Sequence, residues 1–148
     1  MQSNFKKVHT GKDLTISLAV LIAGIGLFFT NKWLGVFIIL CGLLTLLLFK
    51  TGFRKEGQTS VLSRVSKDIS KTCSLSVIGF LRGEDCSLVI KEGNEGGSMR
   101  LITYFSKQDH IAYVKLLNYS NYLYESAIED VELTGARADE FIEKMFIK

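Results

Sequence analysis

The chain has 148 residues, 47% of them hydrophobic, and a net charge of +3. That length suits one ordinary domain and little more. So small a charge, with no basic face on the folded part, argues against nucleic acid as a partner.

Charge and greasiness are laid out unevenly. Residues 1–13 form a basic tail, with Lys6, Lys7 and Lys12 against Asp13. Residues 50–72 carry six bases against two acids, and residues 73–148 carry eight bases against twelve acids. Between the two basic stretches, residues 14–49 are almost wholly apolar.

Residues 14–30 and 33–49 are expected to be two transmembrane helices forming a hairpin, turned at Thr30-Asn31-Lys32. Their apolar stretches, Leu14 to Phe29 and Trp33 to Phe49, hold no charge, and the chain has no proline to kink them. At 1.5 Å per residue each spans roughly 24–26 Å, a little short of the ~30 Å hydrocarbon core. Lys12, Lys32, Trp33 and Lys50 at the ends are the expected anchors, reaching to the interface by snorkelling and aromatic seating. A cleaved signal peptide does not fit: no small-x-small site follows the first stretch, and a second apolar stretch begins at once. The polar turn has one lysine and the two flanks have nine bases, so the positive-inside rule places both termini in the cytoplasm of a bacterial inner membrane. Three cysteines without C-x-x-C spacing read as free thiols, which suits a reducing compartment. Ala19, Ala23 and Gly26 in the first helix, and Gly35 and Gly42 in the second, are the candidate packing residues, either within the hairpin or against the helices of a partner or a second copy.

Residues 50–58 read as a juxtamembrane linker, and residues 59–148 as a cytoplasmic α+β domain. Val61, Leu62, Val65, Ile69, Cys73, Val77 and Phe80 recur every three or four residues, which predicts an amphipathic helix over 59–81, although residues 73–80 also fit an alternating strand. Residues 87–92 are strand-like, and the glycine-rich stretch 93–97 is a turn rather than a phosphate loop, because a strand and not a helix follows it. Residues 98–105 and 111–117 alternate and are rich in β-formers, with turn residues at 107–109. Turns this short join antiparallel neighbours, so a meander of three strands is expected, with a fourth from residues 123–133. Ala138, Phe141, Ile142, Met145 and Phe146 then fall on one helical stripe, with Thr134 as the N-cap.

Chemistry is hard to find in this sequence. His9 and His110 are far apart and read as surface histidines, so no metal spacing is present. Glu125, Glu129, Asp130 and Glu132 read as a solvated acidic loop, without the spacing of a calcium site. There is no G-x-S-x-G and no cofactor motif, so the expectation is a protein that is not an enzyme and holds no cofactor or metal. All five tyrosines lie between 104 and 124. Arg100, Ile102 and Tyr104 share a strand face opposite Met99, Leu101 and Phe105. If helices cover only the latter face, Arg100, Ile102, Tyr104 and Tyr113 form a surface for a partner. The expected role is a small membrane-anchored interaction protein: an accessory subunit, adaptor or immunity-type factor with a membrane-protein partner or a second copy. The alternatives are a ligand-gated effector that disrupts membranes and, last, a membrane-bound enzyme.

Overall fold

The computed structural model describes residues 4–84, 87–93, 99–120 and 122–146. The fold is mixed α+β, with four helices among the described residues and antiparallel pairing throughout the larger sheet. It divides into two compact units, Phe5–Arg54 and Lys55–Lys148, the latter taking in Met1–Asn4.

The first unit is built on two helices. Strand β1 (Phe5–Val8) leads into α1 (Gly11–Phe28), and α2 (Lys32–Leu48) leads into β2 (Gly52–Lys55), which pairs with β1. These two short strands lie in the stretches read from sequence as tail and linker. Helix α1 starts at a capping box: the Asp13 N–H donates to Thr10 Oγ1 at 3.2 Å and the Thr10 N–H donates to Asp13 Oδ2 at 2.9 Å. The same carboxylate accepts the Thr51 N–H at 2.9 Å and the Thr51 hydroxyl at 2.8 Å, tying the start of α1 to the chain that leaves α2. Asn31 caps α2 by accepting the Leu34 N–H at 3.2 Å.

Glycines bring the two helices together. A Cβ on Gly24 would lie 2.8 Å from the Ile39 side chain, and one on Gly42 would lie 2.8 Å from Leu21. A Cβ on Gly35 would run into the backbone of Phe28. Leu21 faces Gly42, Gly24 faces Ile39 and Phe28 faces Gly35, so the helices run antiparallel along a seam one hydrogen atom deep at three levels.

The second unit is a five-stranded sheet with two helices. Its elements are β3 (Ser63–Ile69), α3 (Lys71–Arg82), β4 (Met99–Ser106), β5 (Ile111–Ser120), β6 (Leu123–Ser126), β7 (Val131–Thr134) and α4 (Ala136–Phe146). The order is β3-β4-β5, and the far side of β5 is shared by β6 along 117–120 and β7 along 111–114. The core lies on one face. Met99, Leu101, Phe105, Val114, Leu116 and Leu133 of the sheet meet Val77 and Phe80 of α3 and Ala138, Phe141, Ile142 and Met145 of α4. Arg137 ties the helices together by donating to the carbonyl of Phe80.

Several expectations are corrected. The helix expected over 59–81 is a strand in its first half and a helix in its second. Apolar positions 61, 65 and 69 fit either period, and the ladder to β4, from Ser63 opposite Phe105 to Ile69 opposite Met99, decides for the strand. Ser70 then caps α3 by accepting the Cys73 N–H at 3.3 Å, and Gly83, at φ 88°, closes it. The described residues of 87–92 form only a single bridge, Ile69 with Glu92. There the Ser76 hydroxyl accepts the Val89 N–H at 3.3 Å and lies 3.1 Å from the Val89 carbonyl, taking groups a neighbouring strand would need. Residues 123–133 give two strands rather than one. Thr134 ends β7 rather than capping α4; Gly135, at φ 61°, stands between them, and its carbonyl accepts the Ala138 and Asp139 N–H groups. The glycine-rich turn expected at 93–97 lies, apart from Gly93, outside the described residues.

The seam makes a direct prediction. Gly42→Val should destabilise the chain in micelles by about 1–3 kcal/mol through overpacking, while Gly26→Val, where a Cβ would meet nothing within 4 Å, should stay within about 0.5 kcal/mol. Thermal unfolding followed by circular dichroism measures both; equal effects would contradict the seam.

Candidate functional site

The helical unit is packed inside out. The buried residues of α1 are Asp13, Ser17 and Gly24, and those of α2 are Gly35 and Gly42. None is a large apolar residue. Leu14, Ile16, Leu18, Ile22 and Ile25 of α1, and Leu34, Phe37, Leu40, Leu43, Leu44, Leu47 and Leu48 of α2, are all exposed. A helix from the core of a soluble protein shows the reverse pattern. Helix α1, at 18 residues, has the length and composition to cross a membrane, and α2 is an apolar helix one residue shorter.

The residues expected as anchors lie at the two ends of this unit. Lys12 sits in the first turn of α1 and Lys50 just beyond α2, while Lys32 and Trp33 begin α2 at the opposite end. All four are exposed, Trp33 to 87%. Of the residues proposed for packing, Gly35 and Gly42 lie in the seam. Ala19, Ala23 and Gly26 do not: all three are exposed on α1, and the places expected for them are held by Asp13, Ser17 and Gly24. Steps of four and seven residues put those three on one face of α1, a period that was available in the sequence; the polar identity of Asp13 and Ser17 hid it. Across the end of the unit that holds Lys12, His9 Nδ1 lies 3.0 Å from the Phe49 carbonyl, beside the bonds from Asp13 to Thr51.

The second candidate is the sheet face away from α3 and α4. Arg100, Ile102 and Tyr104 of β4 share it with Arg64, Ser66 and Asp68 of β3 and with Tyr113, Lys115 and Leu117 of β5, as the cross-strand partners require. The open aromatic patch expected there is largely closed. Ile102 and Tyr113 are buried, and so is Leu62. The Tyr113 hydroxyl donates to Gln58 Oε1 at 2.7 Å and lies 3.1 Å from Glu132 Oε1. Lys55 sits 4.2 Å over the Tyr113 ring and pairs with Glu132 at 2.9 Å. Lys115 pairs with Asp130 at 2.9 Å, and of the expected acidic loop Glu125 lies in β6 and Glu132 in β7. On the β3–β4 side the face stays accessible: Arg64 and Ser66 are exposed, and Arg100 and Tyr104 are half-buried. The segment 55–58 reaches this face from far away in sequence, so no local pattern signals it.

The electrostatics follow from these contacts. Burial pushes the Tyr113 hydroxyl up, and Glu132 beside it adds to the rise against the bond to Gln58. Burial alone would lower the Lys55 ammonium, but the bond to Glu132 and the neighbouring Tyr113 hold it above its usual value. The Arg100 guanidinium, 2.8 Å from Asp68, holds that carboxyl below the usual aspartate range. Arg100 also lies 4.2 Å over the Tyr124 ring.

Near α4, His110 Nδ1 lies 2.7 Å from Asp139, and the Ser106 hydroxyl donates to Asp109 at 2.7 Å. His110 is a surface histidine, as expected, with a carboxylate beside it, and its φ of 53° marks the turn into β5. The serine and the histidine turn to different carboxylates, so no relay joins them. Among the described residues no group of His, Cys, Asp and Glu could hold a metal ion. Cys41 and Cys73 are free thiols. Comparison with protein-family models, curated protein sequences and solved structures returns no match.

The end of the β5–β6 hairpin was not anticipated as a site. Strand β6 is exposed along its whole length, and Tyr122 stands 92% exposed at φ 63°.

The pair of Asp68 and Arg100 predicts an acid dependence. The folded carboxyl titrates below its unfolded value, so the pair's contribution is full above about pH 4 and is lost as pH falls through the folded value. Asp68→Asn should therefore reduce the fall in thermal midpoint between about pH 7 and about pH 3 relative to the native chain. An equal fall in both proteins would contradict it.

Proposed function

We propose that the chain is a two-pass membrane protein that does no chemistry of its own and holds a small α+β domain at the cytoplasmic face of a bacterial inner membrane, where that domain binds a membrane-protein partner. The observation that carries this reading is the inverted packing of α1 and α2. Lipid tails gain nothing from burying leucine and isoleucine against each other, so membrane helices meet through small residues and turn their large apolar side chains outward. Seventeen large apolar side chains of Phe5–Arg54 are exposed, far more than a monomer in water carries on fifty residues.

In this reading the helices form a transmembrane hairpin. Lys12 and Lys50 snorkel to the cytoplasmic headgroups, and Trp33 and Lys32 seat the far turn. The nine bases on the flanks against one in the turn put both termini in the cytoplasm. The stretch is short of a full bilayer, which tilting cannot mend but local thinning and anchoring can. The polar bonds of Asp13 to Thr10 and Thr51 are then closed at the cytoplasmic boundary, where an unpaired carboxylate would be costly.

The partner surface is the accessible β3–β4 side of the outer sheet face: Arg64, whose guanidinium lies 5.8 Å from the centre of the Tyr104 ring, and, four residues further along the two strands, the pair of Asp68 and Arg100. A guanidinium and an aromatic ring at an accessible corner are the residue types that carry binding energy at interfaces. Ile102 and Tyr113, expected at this surface, are buried and support it from beneath.

The test is co-purification from membranes in mild detergent. The native chain should bring down a larger membrane protein, and Arg64→Glu with Tyr104→Ala should lose it while the chain keeps its fold by circular dichroism. Full retention of the partner by that variant would remove this surface from the account.

A further inference from the structure

The end of the β5–β6 hairpin carries chemistry that the partner surface does not use. Residues 116–124 contain no charge, although they lie between Lys115 and Glu125 in a stretch dense with acids. Three of the five tyrosines fall there, together with Leu123. Tyr119 and Tyr124 are cross-strand partners with ring centroids 5.0 Å apart. Tyr122 and Leu123 are 92% and 66% exposed.

Apolar groups stand on both faces of this end. Tyr119 and Tyr124 occupy one face of the hairpin, Leu123 lies on the opposite face, and Tyr122 is at the turn. Tyr122 holds a left-handed backbone, an uncommon conformation for a tyrosine. A flat protein partner would bury one face and leave the other in water. A soft medium that closes around a protruding end suits all of them. The residue types point the same way: tyrosine has an apolar ring and a wet hydroxyl, and Asn118 and Ser120 beside them are polar but uncharged, the mixture found at the headgroup level of a bilayer. The remainder of residues 73–148 is net acidic, twelve acids against eight bases, so an uncharged end is where the domain approaches anionic headgroups with least repulsion.

We propose that the β5–β6 end, Tyr119, Tyr122, Leu123 and Tyr124, dips into the headgroup region of the bilayer and is a second, interfacial membrane contact of the chain. This rests on the reading of α1 and α2 as transmembrane. Their anchoring holds lipid at high effective concentration, so a contact too weak to bind a membrane alone suffices here. Tyr104 and Arg64 lie at the other end of the sheet's outer face, and Arg100, over the Tyr124 ring, stands between the two surfaces.

The chain has a single tryptophan, Trp33, which gives the experiment its control. The full chain is reconstituted into phosphatidylcholine vesicles whose acyl chains are brominated either near the headgroup or near the tail end. In the native chain, quenching of Trp33 reports the helices. In a chain carrying Trp33→Phe with Tyr122→Trp, quenching reports the hairpin end, and Leu123→Trp replaces Tyr122→Trp if the first variant misfolds. Trp33→Phe with Leu75→Trp, at a position 71% exposed on α3, shows how a tryptophan elsewhere on the domain behaves. The proposal expects the Tyr122→Trp reporter to lose intensity, more from the shallow bromines than the deep ones, with emission shifted to the blue, while the Leu75→Trp reporter loses little. Quenching of Trp33 with an unquenched, iodide-accessible Tyr122→Trp reporter overturns the hairpin contact and leaves the helices in place. A reporter shielded from iodide yet unquenched by lipid also overturns it, in favour of a protein covering. If Trp33 itself is unquenched, the membrane reading falls and the proposal with it.

Discussion

Everything in the first unit depends on how closely two helix backbones approach. At Gly24, Gly35 and Gly42 there is no room for even a methyl group, and the pairing of these levels fixes both the direction and the register of α1 against α2. With small residues and Asp13, its carboxylate satisfied by Thr10 and Thr51, inside, the large apolar residues have nowhere to go but out. In water that arrangement would be penalised at every exposed leucine, roughly 25 cal/mol for each Å² of apolar surface left wet. In a bilayer it carries no penalty, and close dispersion contact along the seam becomes the main attraction between the helices.

The second unit obeys the opposite rule. Its large apolar residues point inward, between one sheet face and helices α3 and α4, as expected of a domain folded in water. Its other face is held by a different kind of contact: ion pairs between Asp68 and Arg100, Lys55 and Glu132, and Lys115 and Asp130, with tyrosine rings under Arg100 and Lys55. Partly exposed pairs of this sort add little stability one by one. Their effect is to leave a sheet face that is ordered without being greasy, which restricts apolar exposure on the domain to a few places. The end of β6 is the most concentrated of these.

What could be read from the sequence follows from which signals are local. The two apolar helices needed only composition, and β4, β5 and α4 needed only their period and turn residues. Strand β3 is not legible locally, because positions 61, 65 and 69 satisfy a helix and a strand alike and its partners in β4 lie thirty or more residues away. The segment 87–92 looked like a strand but gave its backbone groups to Ser76, a contact invisible to pattern. On the helices, small residues alone were a poor guide: Ala19, Ala23 and Gly26 are as small as the seam residues, yet the face is set by Asp13, Ser17 and Gly24, two of which are polar. On the sheet, the shared face of Arg100, Ile102, Tyr104 and Tyr113 followed from alternation, but that Tyr113 would be closed over by Gln58 and Lys55 did not, since those residues arrive from a distant part of the chain.

The central claim is that α1 and α2 sit among lipid tails. Membranes from cells producing the full chain, washed with alkaline carbonate and floated through a density gradient, test it directly. The account predicts that the chain stays with the floating lipid after the wash. Release of the bulk of it into the soluble fraction would contradict the account, because seventeen exposed apolar side chains would then need a covering other than lipid.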